Sequence, residues 1–252
     1  MQGLTEFLPV SSSGHIEIGK SLLGIQSSNN LLFSVIVHAA TALSTIIIYR
    51  KDILKIIQGL LEFKMNDSTT FSLKILLSMI PLVFVGVLLA DQIEALFEGQ
   101  IMVVGFMLII TGFLLAMTYY NPQKSGSISY GKALLIGIAQ TIAILPGISR
   151  SGATIATALM LGVDKEKATR FSFLMVLVPI IGAAGKKIME YMSLPQADEG
   201  ISILSLIAGF LAAFIAGLFA CKWMIKIVRK GKLIYFAYYC FLIGVLSIIF
   251  SI

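Results

Sequence analysis

The sequence predicts an all-α polytopic membrane protein built as an inverted-topology repeat, each half a re-entrant helical hairpin plus three transmembrane helices. Three observations predict it. Of the 252 residues, 58% are hydrophobic and only 13% are charged, with a mean hydropathy of +0.95; a soluble domain carries about 25% charged residues. Six apolar runs approach the roughly 20 residues that a helix needs to cross a bilayer. A short polar motif occurs twice, in Leu8-Pro9-Val10-Ser11-Ser12-Ser13-Gly14-His15 and in Leu145-Pro146-Gly147-Ile148-Ser149-Arg150-Ser151-Gly152, with Ser11 and Ser149, Ser13 and Ser151, and Gly14 and Gly152 each 138 residues apart. The same gap-free register carries Gln2 to Gln140, Leu23-Gly24 to Leu161-Gly162 and Phe33-Ser34 to Phe171-Ser172. So long a register argues for internal duplication. In membrane proteins the functional site commonly lies where such copies meet.

The elements follow in chain order within one integral membrane domain, 1–252. Repeat one, about 1–120, holds a hairpin over 1–24 and spans over 31–49, 75–90 and 101–119. Repeat two, about 133–252, holds a hairpin over 133–162 and spans over 171–189, 201–220 and 233–251. The hairpins are too short to cross: Ala133 to Leu145 is apolar but breaks at Pro146-Gly147, and a second short stretch ends near Gly162. Most of the leading helix of the first hairpin is absent, because the chain opens at Met1-Gln2. That reads as a truncated start or as a stub. No signal peptide is expected, since no basic and apolar leader precedes the motif.

Charge sets the topology. Arg50, Lys51, Lys55, Lys64 and Lys74 fall in loop 50–74, and Lys222, Lys226, Arg229, Lys230 and Lys232 in 221–232. Residues 91–100 and 190–200 are acidic. By the positive-inside rule the basic loops are cytoplasmic and both chain ends lie outside. The second hairpin, flanked by Lys132 and Lys165, then enters and leaves on the cytoplasmic face, and the first enters from outside. The net charge of +6 is accounted for by these loops, so nucleic acid is not an expected partner. Cys221, at a helix end, and Cys240, within a span, suggest neither a disulfide scaffold nor a zinc site. Pro81 and Pro179 read as kinks, and His38 as a packed residue.

Facing helix breaks rich in serine and glycine offer free N–H groups to an anion, above all to phosphate. The candidate phosphate contacts are Ser11, Ser13, Gly14, Ser149, Arg150, Ser151 and Gly152. Glu6, Ser12, His15 and Arg150 are the candidate catalytic residues, because ionisable groups inside a membrane are expensive and mark function. Arg150 suits a two-point hold on phosphate, and Ser12 occupies its place in the other repeat. Glu6 is the candidate ligand for a divalent cation, Mg²⁺ or Ca²⁺.

The run Gln2-Gly3-Leu4-Thr5-Glu6-Phe7-Leu8-Pro9-Val10-Ser11-Ser12-Ser13-Gly14-His15, with Pro146-Gly147-Ile148-Ser149-Arg150-Ser151-Gly152-Ala153-Thr154, resembles the undecaprenyl pyrophosphate phosphatase family of the bacitracin-resistance type. The resemblance covers nearly the whole chain. It implies hydrolysis of undecaprenyl diphosphate, a polyprenyl lipid, to the monophosphate carrier used in cell-wall synthesis. It further implies divalent-metal dependence, a multi-pass place in the bacterial inner (cytoplasmic) membrane, and an active site open to the outside. The family's E/Q-x-x-x-E motif falls on Gln2 and Glu6, which makes Gln2 a second metal candidate. The nucleophile stays open between Ser12 activated by His15, His15 itself, and water. A homodimer also stays open. The rival reading is a transporter or polyprenyl-phosphate flippase, since inverted repeats with broken helices are a transporter architecture.

Overall fold

A computed structural model describes residues 1–23, 31–89, 92, 100–120, 125–193 and 202–251. In order, the helices are α1 Gln2–Thr5, α2 Ser12–Leu22, α3 Leu31–Ile48, α4 Arg50–Leu61, α5 Asp67–Leu88 and α6 Ile101–Tyr120. They continue as α7 Tyr130–Ile142, α8 Arg150–Met160, α9 Lys165–Ser193, α10 Ile203–Arg229 and α11 Ile234–Ile249. Among the described residues there is no strand, only an isolated bridge between Gly126 and Val163.

The bulk of each of the six apolar runs lies in a helix: α3, α5, α6, α9, α10 or α11. Helices α5, α6 and α10 are long and apolar enough to cross a membrane, and α11 is a shorter apolar helix. Pro81 and Pro179 sit inside the continuous helices α5 and α9.

Two expectations need correcting. Residues 50–74 are not a loop. After Tyr49 the chain turns by 78° between α3 and α4, a turn follows, and Asn66 caps α5 by accepting from Thr69 N at 2.9 Å. The charges there had hidden the helical spacing of Leu54, Ile57 and Leu61, which form an exposed apolar face. Cys221 is not at a helix end either, because α10 runs on to Arg229. Its last turns carry Lys226 and Arg229, whose long stems can lie along apolar surface while the charge reaches water. Both cysteines are free and buried. The acidic segments lie outside the described residues over 93–99 and 194–200.

Each broken hairpin is capped the same way. Ser11 Oγ accepts from Gly14 N at 3.2 Å to start α2, and Ser149 Oγ accepts from Gly152 N at 3.1 Å to start α8. These bonds satisfy donors that a helix N-terminus would otherwise leave orphaned. The ends of the α7–α8 hairpin are tied together: Gly126 N donates to Gly162 O at 3.2 Å, and Asp164 N donates to Gly126 O at 3.0 Å. The segment therefore returns to the level at which it began.

Small residues let the helices approach. At the α6–α11 crossing, a Cβ on Gly105 would lie 2.8 Å from Gly244 O, and a Cβ on Gly244 would lie 2.8 Å from Gly105 O. Close backbone contact of this kind is how membrane helices gain packing without a hydrophobic driving force between them. Gly3 brings α1 against the Ala213 carbonyl of α10, and Gly137 brings α7 against the Ser78 carbonyl of α5. The first hairpin thus rests on helices of the second half, and the second on helices of the first. Between them, Phe171, Phe173 and Met175 of α9 fill the centre, with Phe7 edge-on to Phe173 at 5.9 Å.

Candidate active site

The two helix breaks, Glu6 to Ser11 and Ala143 to Ser149, meet in the middle of the molecule. A Cβ on Gly14 would lie 3.1 Å from Gly147 Cα, and one on Gly152 would lie 3.2 Å from Pro9 Cβ. The 138-residue register maps Gly14 to Gly152 and Pro9 to Gly147, so these two contacts are one contact seen twice. The anchoring is reciprocal as well. Cys240 Sγ of α11 donates to Pro9 O at 3.6 Å, while Thr111 Oγ1 of α6 lies 3.2 Å from Gly147 O. Thr111 also accepts from Ser149 N at 3.1 Å. Gly147 has φ +99, a backbone conformation that glycine adopts without steric cost, and this turns the chain into α8.

At this junction three of the sequence candidates, Gln2, Ser12 and Arg150, gather around Glu6. Its side chain is 9% exposed. Glu6 Oε2 accepts from Ser12 Oγ at 2.6 Å and from Gln2 Nε2 at 3.0 Å. Glu6 Oε1 is 3.7 Å from Arg150 Nη2. Ser12 and Arg150 occupy equivalent positions in the sequence register, and they present a hydroxyl and a guanidinium to one carboxylate. The second copy has Ile144 where the first has Glu6. One acid serves both hairpins.

The remaining serines form matching pairs. Ser11 Oγ and Ser13 Oγ are 3.3 Å apart, as are Ser149 Oγ and Ser151 Oγ, and Ser151 Oγ also donates to Leu8 O at 3.3 Å across the two hairpins. By helix geometry the first-turn N–H groups of α2 and α8 lack intrahelical acceptors. Helix N-termini of this kind favour anions. A cleft opens at this junction between α3 and α9. Glu6, Arg150, Ser151 and Thr154 line one wall, with Thr41, Thr45 and Ser172 beside them, and Phe7, Phe173, Val176 and Ile180 supply apolar surface. The arrangement suits a ligand with a charged head and a greasy neck.

His15 is not brought to Ser12. Its Nδ1 lies 2.9 Å from Ser11 O and its Nε2 lies 2.7 Å from Tyr239 Oη. His38 is engaged with its own helix, Nδ1 2.8 Å from Ser34 O.

A hard divalent cation takes oxygen ligands. Among the described residues no three His, Cys, Asp or Glu side chains gather as a ligand set. Gln2 Oε1, however, is a buried oxygen without a hydrogen-bond partner, one helical turn from Glu6. A carboxylate and a free amide oxygen are the oxygen ligands that Mg²⁺ or Ca²⁺ takes when substrate phosphates and water complete the shell. The residues fit such an ion.

Sequence reasoning missed Thr111, Tyr239 and Cys240. Thr111 had a signal, a hydroxyl in the middle of an apolar run. The other two had none.

Apolar helices of membrane-crossing length packed around a buried polar junction define a polytopic membrane protein. Over residues 1–246 the chain matches the family described as bacitracin resistance protein BacA, and it belongs to that family. It is 54% identical over 253 residues to the undecaprenyl-diphosphatase of Christiangramia forsetii, covering 100% of this chain and 95% of that one. The undecaprenyl-diphosphatase of Bacteroides fragilis is 51% identical, and that of Methanobrevibacter smithii 35%, each with 100% of this chain and 95% of the relative covered.

Proposed function

We propose that this chain is an undecaprenyl-diphosphatase, hydrolysing undecaprenyl diphosphate to undecaprenyl phosphate and inorganic phosphate. That activity returns the lipid carrier to cell-wall synthesis, and the family's name ties it to bacitracin resistance. The observation that carries the assignment to these residues is the buried Glu6, bonded to Ser12 and facing Arg150, in a chain that matches undecaprenyl-diphosphatases along its whole length.

In this reading the terminal phosphate rests on the N–H groups of the two hairpins, with Ser11, Ser13, Gly14, Ser149, Ser151 and Gly152 shaping the cradle. The Arg150 fork neutralises the charge gathering on it. Ser12 Oγ gives its proton to Glu6 Oε2 and attacks the terminal phosphorus. The P–O bond to the bridging oxygen breaks, and the lipid monophosphate leaves with the electron pair. Water then cleaves the Ser12 phosphoester and frees phosphate. The 2.6 Å bond between Ser12 and Glu6 supports Glu6 as the base, a role the sequence reading had given to His15. Glu6 and Gln2 would hold the divalent cation, which supplies Lewis-acid neutralisation of the diphosphate oxygens. The apolar wall of Phe7, Phe173, Val176 and Ile180 would receive the first prenyl units and keep bulk water from the reacting phosphorus.

The inverted-topology repeat belongs to the same reading. The reciprocal contacts of Gly14 with Gly147 and Gly152 with Pro9 support it. The tied ends of the α7–α8 hairpin support re-entry from one face. With the basic segments 50–74 and 221–232 inside, the site opens to the outer leaflet of the bacterial cytoplasmic membrane.

The test is release of phosphate from undecaprenyl diphosphate by the purified protein, with and without EDTA. Metal-dependent release is the expected result. Passage of labelled lipid across vesicles without any phosphate release would instead favour a flippase.

A further inference from the structure

Tyr239 reaches the first hairpin from the far end of the chain. Its Oη is 2.7 Å from His15 Nε2, and the two rings stack with centroids 5.5 Å apart and planes at 10°. The partners of the imidazole fix its tautomer. Ser11 O, 2.9 Å from Nδ1, is a carbonyl and only accepts, so Nδ1 carries the proton. In the neutral ring Nε2 is then a lone pair, and Tyr239 is the donor to it.

What His15 holds is a strained residue. Ser11 has φ +68 and ψ 102, outside the regions a non-glycine residue usually occupies, and such a conformation persists only where its surroundings enforce it. Its carbonyl takes the His15 backbone N–H at 3.2 Å as well as the ring Nδ1–H, and its hydroxyl takes Gly14 N–H. The next residue is Ser12, on Glu6. The neighbour of Tyr239, Cys240, meanwhile binds Pro9 O. One turn of α11 therefore grips the helix break on both sides of Ser11.

We infer that Tyr239 is a positioning residue for the reaction: by donating to His15 it locks the imidazole onto the Ser11 carbonyl, and so holds the strained cap that delivers Ser12 to Glu6. The inference rests on the proposed reading of this hairpin as the active site. It makes His15 a strut rather than a base, because its only lone pair is taken by a hydroxyl that does not belong to the reacting groups.

The experiment is a double-mutant cycle on the full chain in detergent, with Tyr239→Phe, His15→Ala and the pair. Phenylalanine keeps the stacked ring and removes only the hydroxyl, and a half-exposed position tolerates the change; Tyr239→Met serves as a second variant should the first be polydisperse. Loss of one ordinary hydrogen bond predicts a fall in kcat of about tenfold with KM unchanged. In the His15→Ala background Tyr239→Phe should cost nothing more. Only two histidines are present, so ¹⁵N-imidazole spectra separate them. In Tyr239→Phe the His15 Nε2 resonance should move to the position of an unbonded ring nitrogen. Independent, multiplicative losses in the cycle, or unchanged kcat in Tyr239→Phe, would overturn the inference. An unmoved Nε2 resonance would do so as well, whatever the activity. Assaying Glu6→Gln alongside keeps the two claims apart: full activity there faults the site reading, while the nitrogen spectrum still judges the bond between Tyr239 and His15.

Discussion

Replacing Arg150 by lysine separates a phosphate clamp from a structural ion pair, because the two roles predict losses that do not overlap. Arg150 Nη2 stands 3.7 Å from Glu6 Oε1, and its side chain is 34% exposed. Charge-assisted hydrogen bonds of this type measure about 2.7–2.9 Å, so the pair is a Coulomb contact without a shared proton. The Glu6 side chain is largely buried, so the charge matters to it, but lysine would retain that charge and much of the pair. A purely structural Arg150 therefore predicts a loss of less than about fivefold. As a clamp, the guanidinium offers two parallel N–H groups to two phosphate oxygens, which an ammonium cannot match. Losing one preorganised contact to charge that develops in the transition state costs about 10²–10³ in rate. Steady-state phosphate release from undecaprenyl diphosphate, with kcat and KM resolved, is the assay. The loss should fall on kcat. An Arg150→Lys protein that is monodisperse in detergent and within about fivefold of the parent kcat would refute the clamp.

Glu6→Gln should abolish turnover while leaving the protein folded, and Gln2→Glu should be tolerated and tighten divalent-cation binding; calorimetric titration with Mg²⁺ and Ca²⁺ checks both, and a folded, fully active Glu6→Gln removes Glu6 from the site. Thr111→Val strands the buried Ser149 N–H that Thr111 accepts, which should cost about 1–3 kcal/mol of stability; an unfolding curve that superimposes on the parent's contradicts the anchoring role. Cysteines placed at Gln100 and Gln196 should react with an impermeant thiol reagent in intact cells, and those at Asn66 and Gly231 should not; the reverse pattern would invert the proposed topology.

Much of the candidate site's grouping was legible in the sequence because its residues lie in two short motifs whose register is visible. Glu6, Ser12 and Arg150 were expected together, and Ser12 and Arg150 both face Glu6. Pairing within a motif follows from helical spacing: Gln2 and Glu6 are four residues apart and bonded. His15 could not be placed that way, because its Nε2 partner is a tyrosine 224 residues away. The apolar runs announced the helices, since a bilayer admits few other solutions. Helix α4 was not expected because the charges of residues 50–74 mask its apolar spacing; Lys51 and Lys55 lie on a different side of the helix from Leu54, Ile57 and Leu61. Thr111 was overlooked in an apolar run in which only its hydroxyl, among the buried residues, is polar.

The central claim is that Ser12, deprotonated by Glu6, carries the phosphoryl group. Rapid acid quench of the enzyme with undecaprenyl diphosphate labelled at the terminal phosphate, followed by peptide mapping, tests it directly. An acid-stable phosphoester on Ser12, absent in Ser12→Ala, is the expected result. An acid-labile phosphate on His15, or full turnover in Ser12→Ala, would contradict it.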